Sequence, residues 1–264
     1  MSALDWDILR FTERYYERIW GGHKLRALYG KPVPENVRIG EAWLISDHPG
    51  DESVIAEGPF AGRTLQDLLA ADAQALLGAT ARPTPSGRFP LLLKLLDSAE
   101  SLSVQVHPDD DCAKRLGEPD VGKTEMWHVL QADPGSELIC GLDPAVGREA
   151  FAHAVSGGSV ETLLNRFPVQ AGTSVFVAAG TVHAIGGGIV LAEIQQNSDL
   201  TYRIYDWGRL GSDGKPRELH LEKALEAIHF GSPHGGEAAP LACHAEDGAE
   251  RTVLAACRQF AADH

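Results

Sequence analysis

Gln105 and His107 stand two apart in SLSVQVHPDD, residues 101–110 of a 264-residue chain. On a strand, residues i and i+2 point to the same face, so an amide and an imidazole would project together into whatever space that face lines. Pro108 and the acidic run Asp109–Asp111 then end the strand. Two further groups of the right type follow. Glu125 opens the apolar-rich segment EMWHVLQA, and His183 comes just after the turn text Ala179-Gly180-Thr181. Two imidazoles, a carboxylate and an amide oxygen make a mixed nitrogen and oxygen donor set. Zinc accepts such a set, as do manganese, iron, cobalt and nickel, and drawing ligands from separate strands leaves a coordination position open for a substrate.

Each of these residues also has an ordinary reading. A histidine beside a proline is common in turns, and the chain has 11 histidines. Gln105 suits a sheet hydrogen bond and Glu125 a surface strand end. His128, three residues past Glu125, lies on the opposite face of the same strand.

The elements that must carry these groups are mostly short strands. Glu41–Asp47, Phe89–Asp97 (a continuous apolar run broken by Lys94 and ended by Asp97), Glu125–Ala132, Glu137–Cys140, Thr173–Ala178, Ile189–Gln196 and Leu200–Asp206 read as strands, with a further short one at 53–57. Asp133-Pro134-Gly135 reads as a hairpin turn between two of them. Thr64–Leu77 has helical spacing with Thr64 as N-cap and Gly78 as its stop, and Leu219–His229 is a second helix. Residues 144–166 read as two short helices broken at Gly157-Gly158, and 25–40 as a loop. No alternation of strand and helix and no glycine-rich phosphate loop is present. An antiparallel sandwich or jelly roll, mainly β with inserted helices, is the expected fold class.

Composition narrows the function. A net charge of −14 argues against nucleic acid as the main partner, but leaves room for a small phosphorylated ligand met by two or three local cations. The four cysteines, Cys112, Cys140, Cys243 and Cys257, form no C-x-x-C pair and read as reduced thiols of a cytoplasmic protein. The charged N-terminal text carries neither signal peptide nor membrane span.

Four segments, IGEAWLISDHPG, LSVQVHPDD, GKTEMWHVL and AAGTVHAIGGGIVLAEIQQNSDLTYRIYDWGR, together resemble type I phosphomannose isomerases in their shorter bacterial form. They occur in family order from about residue 15 to about residue 230. The resemblance implies a cupin-type double-stranded β-helix that interconverts mannose 6-phosphate and fructose 6-phosphate through a cis-enediol, with one Zn2+ per chain or another divalent metal in its place. It puts the family's metal ligands on Gln105, His107, Glu125 and His183. It puts the essential arginine on Arg203, expected across the cavity from the Gln105 strand, an acidic neighbour on Asp199 and an active-site lysine on Lys123. Glu41–Trp43 and Lys94 also match family positions, without roles. Lys123, Arg203, Lys94 and Arg209 are the cations available to a phosphate. Residues 1–230 are then the catalytic cupin domain, and 231–264 the start of a small C-terminal β domain that stops short of the family's length. Two alternatives stay open on the text: a non-catalytic metal- or sugar-binding cupin, and an isomerase of a different sugar. The text sets no oligomeric state.

Overall fold

The computed structural model describes residues 8–211, 213–232, 236–239, 242–246 and 249–263. The chain runs β1 (Arg14–Gly22), α1 (Lys24–Tyr29), β2 (Ile39–Ile45), α2 (Leu65–Leu77), β3 (Leu91–Ser98), β4 (Val104–Val106), α3 (Asp110–Arg115), β5 (Glu125–Ala132), β6 (Glu137–Leu142) and α4 (Arg148–Ser156). After a 3-10 turn at Val160–Leu163 come β7 (Leu164–Pro168), β8 (Ser174–Val177), β9 (His183–Ile185), β10 (Ile189–Gln196), β11 (Tyr202–Tyr205) and α5 (Leu221–Ala227). The chain closes with β12 (Ala242–Glu246), β13 (Ala249–Ala256) and β14 (Ala261–Asp263).

The strands form an antiparallel six-stranded sheet, β1-β2-β3-β10-β5-β8, facing a five-stranded sheet, β11-β4-β9-β6-β7. From β3 to β11 successive strands alternate between the two sheets, except that β6 and β7 pair within one, and this alternation is the winding of a double-stranded β-helix. The Asp133-Pro134-Gly135 turn shows the difference from a hairpin. Its flanking strands β5 and β6 do not pair with each other but belong to opposite sheets. Turn residues specify a reversal of the chain, not which strand it next pairs with.

Side chains from both inner faces fill the space between the sheets, among them Trp20, Leu96, Trp127, Leu138, Val175, Ile185 and Leu191. The outer face of the five-stranded sheet is covered by the helices. Val104, Val106 and Ile204 pack there on Cys112 of α3, Phe151 of α4 and Ala224 of α5. Full burial of a side chain such as Phe151 stabilises by about 1.5–3 kcal/mol. The outer face of the six-stranded sheet has two covers. Leu25 of α1 packs with Ala42, Leu95 and Val190, and residues Ala255, Phe260 and Ala262 of the β12-β13-β14 sheet pack on Met126, with Phe176 and Ile194 alongside.

Thr64 caps α2 as expected, in a reciprocal box with Asp67. Four local readings are corrected. Residues 24–29 are helical rather than loop, with Asp97 of β3 accepting from the Lys24 and Leu25 backbone amides in place of a local cap. The second half of 144–166 is a single 3-10 turn running into β7. The acidic run after Pro108 does more than stop a strand, because Asp109 caps α3 through the Cys112 amide. Residues 53–57 make only isolated bridges, Ile55 with Phe11 and Val54 with Thr64.

Candidate metal centre

Strand register explains how distant residues meet. Gln105 of β4 pairs with His183 of β9 on one side and Arg203 of β11 on the other, and His183 pairs in turn with Cys140 of β6. Directly opposed residues share a face, so Arg203, Gln105, His183 and Cys140 form one row across the five-stranded sheet. The facing row on the six-stranded sheet has Glu125 of β5 opposite Gln195 of β10. His107 follows β4 by one residue and folds in to meet both rows.

His107, Glu125 and His183 are each about 1% exposed, and each offers a ligand atom within 4.8 Å of the others. His107 Nε2 lies 3.3 Å from Glu125 Oε1, and His183 Nε2 lies 3.7 Å from Glu125 Oε2. The Thr181 carbonyl, 2.8 Å from His183 Nδ1, takes the proton of that nitrogen. Nε2 is then the lone-pair nitrogen, the tautomer a metal ligand needs. Gly180, at φ +85°, makes the turn that delivers His183. A Cβ there would come within 2.5 Å of the His229 ring, so both backbone and space demand glycine.

Gln105 completes the group, its amide Nε2 3.3 Å from His183 Nε2 and its Oε1 receiving Ser103 Oγ at 3.2 Å. The two amide ends are interchangeable by rotation, and the reverse orientation points Oε1 at the imidazoles and NH2 at the serine. The donor set therefore fits a divalent metal. Both Glu125 oxygens are buried without an aligned hydrogen-bond donor, and only Oε1 has a cation beside it, Lys123 at 2.7 Å, so Oε2 is left for a metal to satisfy.

The electrostatics agree. Burial, and next the Lys123 ammonium, hold His107 down at about 3, and burial likewise lowers His183, so both imidazoles are neutral. Burial alone would raise Glu125, but Lys123 and the two histidines outweigh it and hold the carboxyl well below the usual range. Lys123 Nζ sits 2.7 Å from Glu125 Oε1 and 3.2 Å from His107 Nε2. Burial works against its charge, yet Glu125 and Glu193 keep it protonated above the ordinary lysine value.

A cleft of about 350 Å³ opens beside this cluster, lined by Gln105, Lys123, Asp199 and Arg203, by Lys94, expected as a cation for the phosphate, and by residues not singled out from sequence: Arg18, Glu193 and Arg217. Arg203 lies beside Gln105 on the adjacent strand, not across the cavity, because β11 is the edge partner of β4. One of its terminal nitrogens donates to the Glu218 carbonyl at 2.8 Å, while its buried Nε has no partner among the described residues. Arg209, expected as a cation for the phosphate, donates to Asp206 and the Ser101 carbonyl, and Arg217 also binds Asp206.

Lys94 and Glu193 are register partners on β3 and β10. The ammonium lies 3.7 Å from Glu193 Oε1, 3.8 Å from Glu41 Oε2 and 4.7 Å from the Trp43 ring centre. Trp127 Nε1 donates to the other Glu193 oxygen at 3.1 Å. Burial, then the Glu125 charge, pushes Glu193 up to about 7. For Glu193 the textual signal is a single charge in the run IVLAEIQQ, as Lys94 is in FPLLLKLL. His128 is on the outer face, bonded to Ser174 Oγ at 2.8 Å.

Comparison with known proteins gives consistent matches. Residues 8–126 match the family described as phosphomannose isomerase type I, catalytic domain. The chain is 40% identical over 246 residues to the mannose-6-phosphate isomerase of Streptococcus mutans, covering 93% of this chain and 74% of that one. The crystal structure of the mannose 6-phosphate isomerase from Bacillus subtilis superposes with a TM-score of 0.87 at 36% identity, over 96% of this chain and 78% of that one. A zinc-bound mannose 6-phosphate isomerase shares the fold at 20% identity, with a TM-score of 0.67 over 96% of this chain and 82% of that one.

Proposed function

The chain belongs to the type I phosphomannose isomerases, cupin-fold enzymes, and from that premise we propose that its cleft interconverts mannose 6-phosphate and fructose 6-phosphate. The observation that carries the proposal is the buried His107–Glu125–His183 triangle beside a cleft rich in lysine and arginine, with Gln105 and Lys123 reaching from one to the other. A protein of net charge −14 that gathers Lys94, Lys123, Arg203 and Arg217 in one cleft is built to receive an anion.

His107, Glu125, His183 and the Gln105 carbonyl would hold one metal ion. Zinc is the reading favoured by the donor set and by the zinc-bound relative. When bound, the ion supplies Lewis-acid stabilisation of the charge that develops on the sugar oxygens. Everything else falls to the side chains. The reaction moves a proton between C1 and C2 of the open-chain sugar through a cis-enediol. Glu193, poised near neutrality, suits a group that accepts and returns that proton at Oε1, with the Lys94 ammonium 3.7 Å away to carry the opposite charge. Arg203, with its unpartnered Nε, clamps the anionic substrate or the enediolate. Lys123 keeps Glu125 ionised and adds positive charge beside the reacting oxygens, and Asp199 opposes it from the cleft wall.

Residues 1–230 carry all of this chemistry in the proposal, and the sheet formed within 231–264 acts as a cover for the outer face of β5. Among the described residues no helix is long and apolar enough to cross a membrane, and Cys112, Cys140 and Cys257 are unpaired thiols. Both suit the cytoplasmic setting in which sugar phosphates are found; the side chain of Cys243 lies outside the described residues. Isomerisation of fructose 6-phosphate, set against unphosphorylated fructose and mannose before and after chelation, tests the reading. Chelator-sensitive turnover of the phosphate ester alone is expected. Turnover indifferent to chelation, or equal on the free sugars, contradicts it.

A further inference from the structure

We propose that the His48–Asp120 pair is a positioning device that sets Asp199 at the mouth of the cleft. Three loops converge there: 46–53 after β2, 116–124 before β5, and 197–201 between β10 and β11. No ladder joins them. One oxygen does: Asp120 Oδ2 lies 3.2 Å from His48 Nε2 and accepts the Asp199 backbone N–H at 3.1 Å. Ser198 Oγ donates to the Val121 carbonyl at 2.8 Å and reinforces the same junction.

The carboxylate thus ties the residue after Ser198 to the loop that also carries Lys123, so the Asp199–Lys123 relationship across the cleft depends on it. Asp199 lines the cleft and its charge acts on Lys123. His48 supports the carboxylate from behind. Its side chain is 20% exposed and that of Asp120 19%. The ring stands edge-on to Trp43 at 6.1 Å, and Trp43 is the ring beneath Lys94. The charged groups facing His48 are Asp120 and Asp199 from the two other loops, and Asp51 from its own. Tyr16 and Arg14 of β1 hold Asp51, at 2.5 and 3.2 Å.

A charge-assisted bond between imidazolium and carboxylate is about twice as strong as its neutral counterpart. Its hydrogen bond to Asp120 raises His48 above its ordinary value, against burial, and the same bond lowers Asp120. The sign follows: the charged pair is intact on the acid side and loosens as pH rises through the raised imidazole value. Asp199 is then set less firmly and turnover declines.

This inference rests on the isomerase reading, so the test has two arms. In the first, kcat and KM for fructose 6-phosphate are followed between pH 6 and 9 with metal content measured in parallel. His48→Ala is expected to lose about tenfold in kcat/KM with metal unchanged, since small misplacements beside the reacting atoms are costly. His48→Gln, whose amide N–H stands in for the Nε2–H of a neutral imidazole, is expected to rise above His48→Ala to the rate the wild type shows on its alkaline side, and to lack the wild type's decline with pH. Wild-type kinetics in His48→Ala, or no rescue by His48→Gln, overturns the proposal. The second arm needs no turnover. By NMR, the Asp199 amide resonance should follow the His48 titration in the wild type and cease to follow it in Asp120→Asn. An Asp199 amide indifferent to His48 in the wild type also overturns it.

Discussion

Arg203 and Gln105 are register partners on β11 and β4, and Gln105 is in turn the partner of His183 on β9. Ladder hydrogen bonds therefore fix the Arg203 backbone relative to the candidate metal ligands, and the Glu218 carbonyl holds its guanidinium. Sites built on paired strands hold their geometry more tightly than sites on loops. The sheet that carries Gln105 and His183 also carries Arg203 beside them, while Glu125 comes from the facing sheet.

Gln105→Ala and His183→Ala should each lose bound metal and turnover together. Even partners outside the ligand shell cost about 10- to 100-fold in affinity or activity, and a ligand should cost no less. Metal analysis of the purified variants beside a coupled assay reads both. Retention of stoichiometric metal by His183→Ala removes that residue from the set.

Arg203→Ala should keep its metal and lose turnover, by about 10²–10³-fold if the guanidinium meets charge that builds up in the reaction. Arg203→Lys should recover only part of this, because an ammonium cannot reproduce a planar, two-pronged donor. Full activity in Arg203→Ala removes the assignment.

Glu41 links acid stability to the cleft. Burial pushes its carboxyl up, but Lys94 and Arg18 outweigh it and hold the group at about 2, from an ordinary 4.5. A depressed carboxyl contributes stability above its unfolded value and loses it as pH falls through the folded one. Between pH 4.5 and 2 the wild type should therefore lose on the order of 3 kcal/mol that Glu41→Gln does not lose. Urea midpoints across that window give the comparison, and parallel slopes for the two proteins would count against the pairing.

Phe260 seats the C-terminal sheet on the outer face of β5 and β8, its ring 6.4 Å from that of Phe176 and near Met126. Phe260→Ala should cost about 3 kcal/mol, the usual penalty for emptying an aromatic site. Bound metal should be unaffected, since the ligands face the other side of that sheet. Loss of metal in this variant would show that the cover and the site are not separable.

Much of this was legible before the structure. Gln105, His107, Glu125 and His183 could be listed because their types and motifs are local, and β2, β3, β5 and β10 because their apolar runs are. What the text hid is what register decides. Lys94 and Glu193 each look like one stray charge in a hydrophobic strand, and only the β3–β10 pairing makes them an ion pair. Arg203 was expected across the cavity because SDLTYR carries no sign of which strand it will flank. The turn at 133–135 looked like a hairpin because glycine and proline encode a reversal and not a partner. Helix α1 was missed because its start is met by Asp97, a residue far away in sequence.

The central claim is tested most directly by adding zinc to chelator-stripped protein while following isomerisation of fructose 6-phosphate. The rate should rise in proportion to added metal and level off at one equivalent per chain, and Glu125→Ala should stay inactive throughout. Turnover by the stripped protein, or equal reactivation of Glu125→Ala, would contradict a metal-dependent isomerase centred on this triangle.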